Sequence, residues 1–224
     1  MQVRWFGQSA FALTNAETTV VIDPFGDVSE TLAARGMRFD YPLIEGVEAD
    51  LVLVTHEHRD HSGVEAIGGD PAVIRSIAGT LESPVGDVVA IASEHDGVAG
   101  TQRGPNTVFA FALDGVRIAH FGDFGQPALR DEQAAALGAV DLVFLPVGGE
   151  VTLDAVEARA VVDRLGPRWV VPMHYRTPRV GFLQPPHAFL ATFGDAVYRP
   201  ATPSFDTSEL PAADGPLAVV PAIP

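Results

Sequence analysis

Neither cysteine nor lysine occurs anywhere in the 224 residues. The first absence removes disulfides, thiolate metal ligands and thiol nucleophiles together, so any metal must be held by His, Asp and Glu. The second makes all 14 basic residues arginine and excludes Schiff-base catalysis and a P-loop lysine. Basic charge is also scarce, 14 residues against 29 acidic ones for a net charge of -15. That balance argues against a nucleic-acid partner, whose phosphates call for clustered cations. A small anionic substrate is still admissible, because metal ions and a few local arginines can dominate the field in a pocket. No apolar run approaches the roughly 20 residues needed to span a bilayer, and Met1 to Gly7 lacks a signal-peptide pattern. The expectation is a soluble cytoplasmic protein with no membrane partner. A hydrophobic share of 47% and a mean hydropathy of +0.19 suffice for a substantial core. One domain over residues 1–224 is expected, with a proline-rich segment from about residue 200.

The chain opens as an antiparallel meander: Gln2 to Phe6, Ser9 to Leu13 and Thr18 to Ile22, punctuated at Gly7-Gln8 and Asn15 and closed by Asp23-Pro24. Residues 25–49 have weak periodicity and read as a long excursion with one helical turn near Thr31 to Arg35. Such an excursion at a strand end is placed to line a site. Strands are expected at Leu51–Val54, Ala72–Ile74 and Val88–Ala92, with a short helix over Val64–Ile67. Asp114-Gly115 pairs Thr107–Leu113 with Val116–Phe121 as a hairpin. The second half alternates helix and strand: a helix over Ala128–Leu137, a strand over Leu142–Val147, a helix capped by Thr152 and stopped after Leu165, and a strand at Trp169–Val171. A helix near His187–Phe193, a strand at Ala196–Arg199 and a tail packed or frayed on the surface complete the reading.

Of the seven histidines, three fall within Thr55-His56-Glu57-His58-Arg59-Asp60-His61-Ser62-Gly63, directly after the apolar run Leu51–Val54. Two residues apart in an extended chain, His56 and His58 point the same way and reach one ion. A turn after His58 carries Asp60 and His61 to the other side of the loop, where they can hold a second. Imidazole and carboxylate ligands suit zinc, and also manganese or iron. Three further groups follow strand ends: His95, Asp123 between two glycines, and His174.

His56, His58, Asp60, His61, His95, Asp123 and His174 together resemble the ligand set of the metallo-β-lactamase superfamily in number, order and placement. The runs His95-Asp96-Gly97, Arg103-Gly104-Pro105-Asn106, Leu145 to Gly149 and Pro172 to Tyr175 resemble its branch containing L-ascorbate-6-phosphate lactonase and uncharacterised metal-dependent hydrolases. The resemblance implies an α/β fold, a four-layer αββα sandwich with the site at one edge of two sheets. It implies that His56, His58 and His95 hold a first metal, that Asp60, His61 and His174 hold a second, and that Asp123 bridges them. The implied cofactors are two divalent ions, zinc first with manganese or iron as alternatives. The implied activity is hydrolysis of a small ester, lactone or phosphodiester by water activated between the ions. Asp60 is a candidate proton acceptor, and Arg103 and Asn106 are candidates for contacting substrate oxygens.

His120 lies an odd number of residues from Asp123 on one strand and is expected to be structural. His187 reads as exposed. Glu57 reads as a hydrogen-bond partner behind the ligands or a solvated side chain, and Glu94 and Asp96 as candidates for orienting imidazoles. Arg176 and Arg179 could meet an anionic substrate or form surface ion pairs. The competing functions are a non-catalytic metal-binding module and a di-iron redox protein. A homo-oligomer is compatible with the sequence.

Overall fold

The computed structural model describes residues 1–224. Its architecture follows from which strand faces are apolar. Strands β1 (Gln2–Gly7), β2 (Ala10–Thr14), β3 (Thr19–Ile22), β4 (Leu51–Val54) and β5 (Ala72–Arg75) form a six-stranded sheet with β13 (Ser204–Asp206), in the order β13-β1-β2-β3-β4-β5. In β4 all four residues are fully buried, because alternate side chains serve different cores. Leu51 and Leu53 join Val3, Trp5, Phe11 and Ile22 in the main core between the sheets, whereas Val52 and Val54 face a smaller core on the outer side. That outer face is closed by the excursion, through Phe25, Phe39, Tyr41 and Ile44, and by Val180 and Leu183. Within the excursion only Ser29–Ala33 is helical (α1), and this helix buries no residue. The outer layer here is largely coil around an aromatic cluster, with Phe25 and Phe39 edge to face at 5.1 Å.

The second sheet has eight strands: β6 (Gly79–Ser83), β7 (Gly86–Glu94), β8 (Pro105–Leu113), β9 (Val116–His120), β10 (Leu142–Pro146), β11 (Trp169–Met173), β12 (Val197–Tyr198) and β14 (Leu217–Val219), in the order β12-β14-β11-β10-β9-β8-β7-β6. β9, β10 and β11 run parallel, so helices α2 (Asp131–Leu137) and α3 (Ala155–Leu165) serve as their crossovers. Leu137, Val161 and Val162 of these helices, and Phe189 of α4 (His187–Ala191), extend the main core. β7 and β9 are both antiparallel to β8, which makes them codirectional with β10 and β11. Four strands of this sheet therefore end at one edge, where β4 of the other sheet also ends. No helix is long and apolar enough to cross a membrane.

Several elements differ from the sequence-based expectation. β6 was not expected; it is a largely exposed strand that pairs with β7 across a turn at Ser83–Gly86, and its weak alternation hides it. Helix α2 begins at Asp131 rather than Ala128, since the side chains of Gln126 and Gln133 bond each other and Gln133 accepts from the Arg130 N–H. Asp154 rather than Thr152 caps α3: its carboxylate accepts from Val156 N and Glu157 N while Glu157 returns a bond to Asp154 N. Thr152 instead donates to Gly149 O within the preceding turn. The C-terminal segment is neither frayed nor merely packed on the surface, because β13 pairs with β1 and β14 lies between β11 and β12.

Candidate metal centre

The residues after β4, β7, β9 and β11 meet at the shared sheet edge. Their donor atoms form two groups, His56, His58, His95 and Asp123 in one and Asp60, His61 and His174 in the other, each within a 4.8 Å sphere of mutual distances. Asp123 Oδ2 touches both: it lies 3.1 Å from His95 Nε2, 3.2 Å from His174 Nε2, 3.3 Å from His61 Nε2 and 3.8 Å from His56 Nε2. His56 Nε2 and His58 Nδ1 stand 3.0 Å apart, and Asp60 is 3.7 Å from His61 Nε2. All seven sequence-nominated ligands are thus brought together. Asp123 Oδ1, His61 Nε2 and His174 Nδ1 are buried without a hydrogen-bond partner. Such atoms are few in a folded chain, and His61 Nε2 and Asp123 Oδ1 sit within a set of nitrogen and oxygen donors that fits a cation.

Charge is balanced within the cluster. Burial lowers His56 well below its ordinary pKa, assisted by the neighbouring imidazoles, and burial likewise lowers His58 and His174. For His61 burial acts in the same direction, but Asp123, Asp60 and Asp23 outweigh it and raise the group; Asp123 does the same for His95. Asp123 itself, against its own burial, is held far below the carboxylate range by His174, His61 and His95.

A second set of residues aims the ligands, and the sequence did not single it out. Asp23, wholly buried at the end of β3, accepts from His61 Nδ1 at 2.9 Å, from Thr55 N at 2.8 Å and from Thr55 Oγ1 at 2.8 Å. Thr55 Oγ1 lies 3.0 Å from His56 Nδ1, so one carboxylate orients a ligand in each group, directly or through a hydroxyl. With Nδ1 of both rings engaged, Nε2 is left to bind a metal. His95 is fixed similarly by Val151 O, 3.2 Å from its Nδ1. The available signal was a lone acidic residue closing the apolar run Val20-Val21-Ile22. The strain is local to this centre as well: Asp23 has φ +48° and His174 φ +49°. Gly122, at φ +55°, admits no side chain because a Cβ would collide with Thr55 and Asn106.

Asn106 does not line the cleft, contrary to the expectation that it meets substrate oxygens. It is 2% exposed, its amide nitrogen donates to Ser93 Oγ and Phe121 O, and its oxygen accepts from Asp123 N at 3.0 Å. With both halves of the amide engaged, it positions Asp123 instead. Asp96 does not orient an imidazole either: it accepts four backbone N–H bonds, from Val98, Gly100, Gln102 and Arg103, and shapes the loop that presents Arg103. Glu94 pairs with Arg130, and Glu57 with Arg75 and Ser76, both away from the ligands. His120 is buried and structural, bonded to Ser9 O, and His187 is exposed. Arg179 bonds Pro224 O and Asp40 O, so it ties the excursion to the C-terminal segment rather than reaching the site.

The centre opens into a cleft of about 450 Å³. Its apolar wall includes Leu32 and Met37 from the excursion and Phe182 from the loop after β11. Arg35, Arg59 and Arg103 line it too, whereas the chain's arginine ion pairs are formed by other residues. Asp60 and His58 face this space and are only partly buried.

Residues 2–174 match the family described as the β-lactamase superfamily domain. The chain belongs to the metallo-β-lactamase superfamily. A UPF0173 metal-dependent hydrolase of Thermococcus kodakarensis is 34% identical over 87% of this chain and 93% of its own. Another, from Thermus thermophilus, is 30% identical over 79% of this chain and 84% of its own. A Thermotoga maritima structure described as a zinc-dependent hydrolase of the metallo-β-lactamase superfamily superposes with a TM-score of 0.77 at 28% identity, covering 99% of both chains. The two mixed sheets and the few helices are those of this superfamily's fold.

Proposed function

We propose that this metal-dependent hydrolase of the metallo-β-lactamase superfamily binds two divalent ions, zinc first among the candidates, and cleaves a small, anionic ester, lactone or phosphodiester. The observation that carries the reading is the position of Asp123 Oδ2, within 3.1–3.8 Å of imidazole nitrogens from both donor groups. One carboxylate oxygen shared by two sets of nitrogen and oxygen donors is what a bridged pair of ions requires. A divalent ion in such a site acts as a Lewis acid and makes water a nucleophile near neutral pH.

The chain's own groups supply the rest. His56, His58 and His95 would hold one ion and Asp60, His61 and His174 the other, with Asp123 common to both. Asp60 lines the cleft and is only partly buried, which supports it as the acceptor of a proton from the attacking water. Arg103, which lines the cleft, is the candidate for a substrate oxyanion, since a guanidinium fork matches carboxylate or phosphate. The names of the UPF0173 relatives support hydrolysis and do not choose among the three substrate classes.

The test is hydrolysis of bis(p-nitrophenyl) phosphate, a γ-lactone and p-nitrophenyl acetate by protein loaded with zinc or with manganese. Turnover of one class that disappears in Asp123→Ala, together with loss of half or more of the bound metal, is the expected result. Metal content and turnover unchanged in Asp123→Ala would overturn the bridged-site reading.

A further inference from the structure

Two basic residues that follow His174 or lie near the C-terminus take no part in the metal cleft. Arg176 and Arg199, with His187, line a separate cavity of about 410 Å³ that shares no residue with the cleft. No Asp or Glu lines this cavity, although the chain carries 29 acidic residues against 14 arginines. Both arginines are exposed and neither joins an ion pair, so their charge is directed at solvent or at a ligand. The walls between them are apolar, made by prolines and by Val220.

Tyr175 adds an independent observation. It lines the same cavity, is only 4% exposed, and its hydroxyl has no hydrogen-bond partner within the chain. The hydroxyl is not sealed from solvent, so its unused O–H is open to an acceptor.

We propose that this cavity binds a small organic anion, a carboxylate or phosphate monoester with an apolar or aromatic body, whose oxyanion is held by Arg176 and Arg199 and accepts from the Tyr175 hydroxyl. Arginine forks suit both oxyanions, and the proline walls offer a preformed apolar surface for the body without further loss of side-chain freedom.

The experiment is calorimetric titration of the metal-loaded protein with phenylphosphonate, phenylacetate and the neutral benzyl alcohol. At least one anion binds and the alcohol does not; which anion binds more tightly separates phosphate from carboxylate ligands. In R176Q/R199Q the affinity falls about tenfold or more, and in Tyr175→Phe severalfold, whereas Arg103→Gln in the metal cleft leaves this binding unchanged. Binding alters the fluorescence of Trp5, whose ring lies 5.7 Å from that of Tyr175. Both arginines are exposed and unpaired, so the double variant melts with the wild type. Equal affinity in wild type and R176Q/R199Q, or no binding of either anion by the wild type, overturns the proposal.

Discussion

Replacing Asp23 with asparagine tests whether the metal centre depends on a residue that touches no metal. The carboxylate accepts three hydrogen bonds, from His61 Nδ1, Thr55 N and Thr55 Oγ1, and reaches His56 Nδ1 through the threonine hydroxyl. An asparagine can keep the Thr55 N–H bond with its oxygen, but then turns an amide N–H toward His61 Nδ1. The ring must respond by moving its proton to Nε2, and the atom that should face the metal is no longer a lone pair. A hydrogen bond to a charged group is worth about 1.5–3 kcal/mol, so metal affinity should fall about 10- to 100-fold. Backbone strain does not confound the comparison, because asparagine tolerates the left-handed φ of +48° at least as well as aspartate. Competition against a chelator of known affinity reads the effect, with a thermal melt of the metal-free proteins to confirm equal folding. Affinity within about twofold of wild type would refute the orienting role, as that difference is below the cost of one lost neutral bond.

Asn106→Ala should act on stability rather than on substrate affinity. It strands the Asp123 N–H in a buried site, and a loss of about 2–3 kcal/mol, or about 5–10 °C in melting temperature, is expected with KM unchanged in whatever activity remains. A raised KM without loss of stability would restore the substrate-contact reading. The Ser208 hydroxyl and backbone N–H, with the N-terminal ammonium, hold Asp206 below the ordinary carboxylate range. A depressed carboxylate stabilises the fold above its unfolded pKa and loses that contribution as pH falls through the folded value. The melting-temperature advantage of wild type over Asp206→Asn should therefore be full at neutral pH and disappear in acid below about pH 4; an advantage independent of pH would contradict it.

The donor cluster itself was legible because its signals are local. His56, His58, Asp60 and His61 lie within six residues after an apolar strand, and the period-two geometry of an extended chain already aims two of them together. His95, Asp123 and His174 could be nominated as residues just past strand ends, but only the codirectional arrangement of β4, β7, β9 and β11 brings those ends to one edge. The buried runs and the Asp-Gly hairpin were readable for the same reason, since hydrophobic period and turn chemistry are properties of neighbouring residues.

What the sequence could not supply depends on distant partners. Asn106 carries a flexible amide whose role is set by Ser93, Phe121 and Asp123, contributed by two other strand ends. Asp23 reads as the close of a strand until β3 and β4 are laid side by side, when it falls under Thr55 and His61. The exposed strand β6 is held by pairing with β7 rather than by its own pattern, and β13 enters its sheet against β1, across nearly the whole length of the chain. The sequence by itself determined the donor chemistry, nitrogen and oxygen with no sulfur, and the strands that deliver it. Only the tertiary structure decided how near Asp123 lies to each group, which carboxylate orients them and which arginines face the cleft, because those relations are distances between segments far apart along the chain.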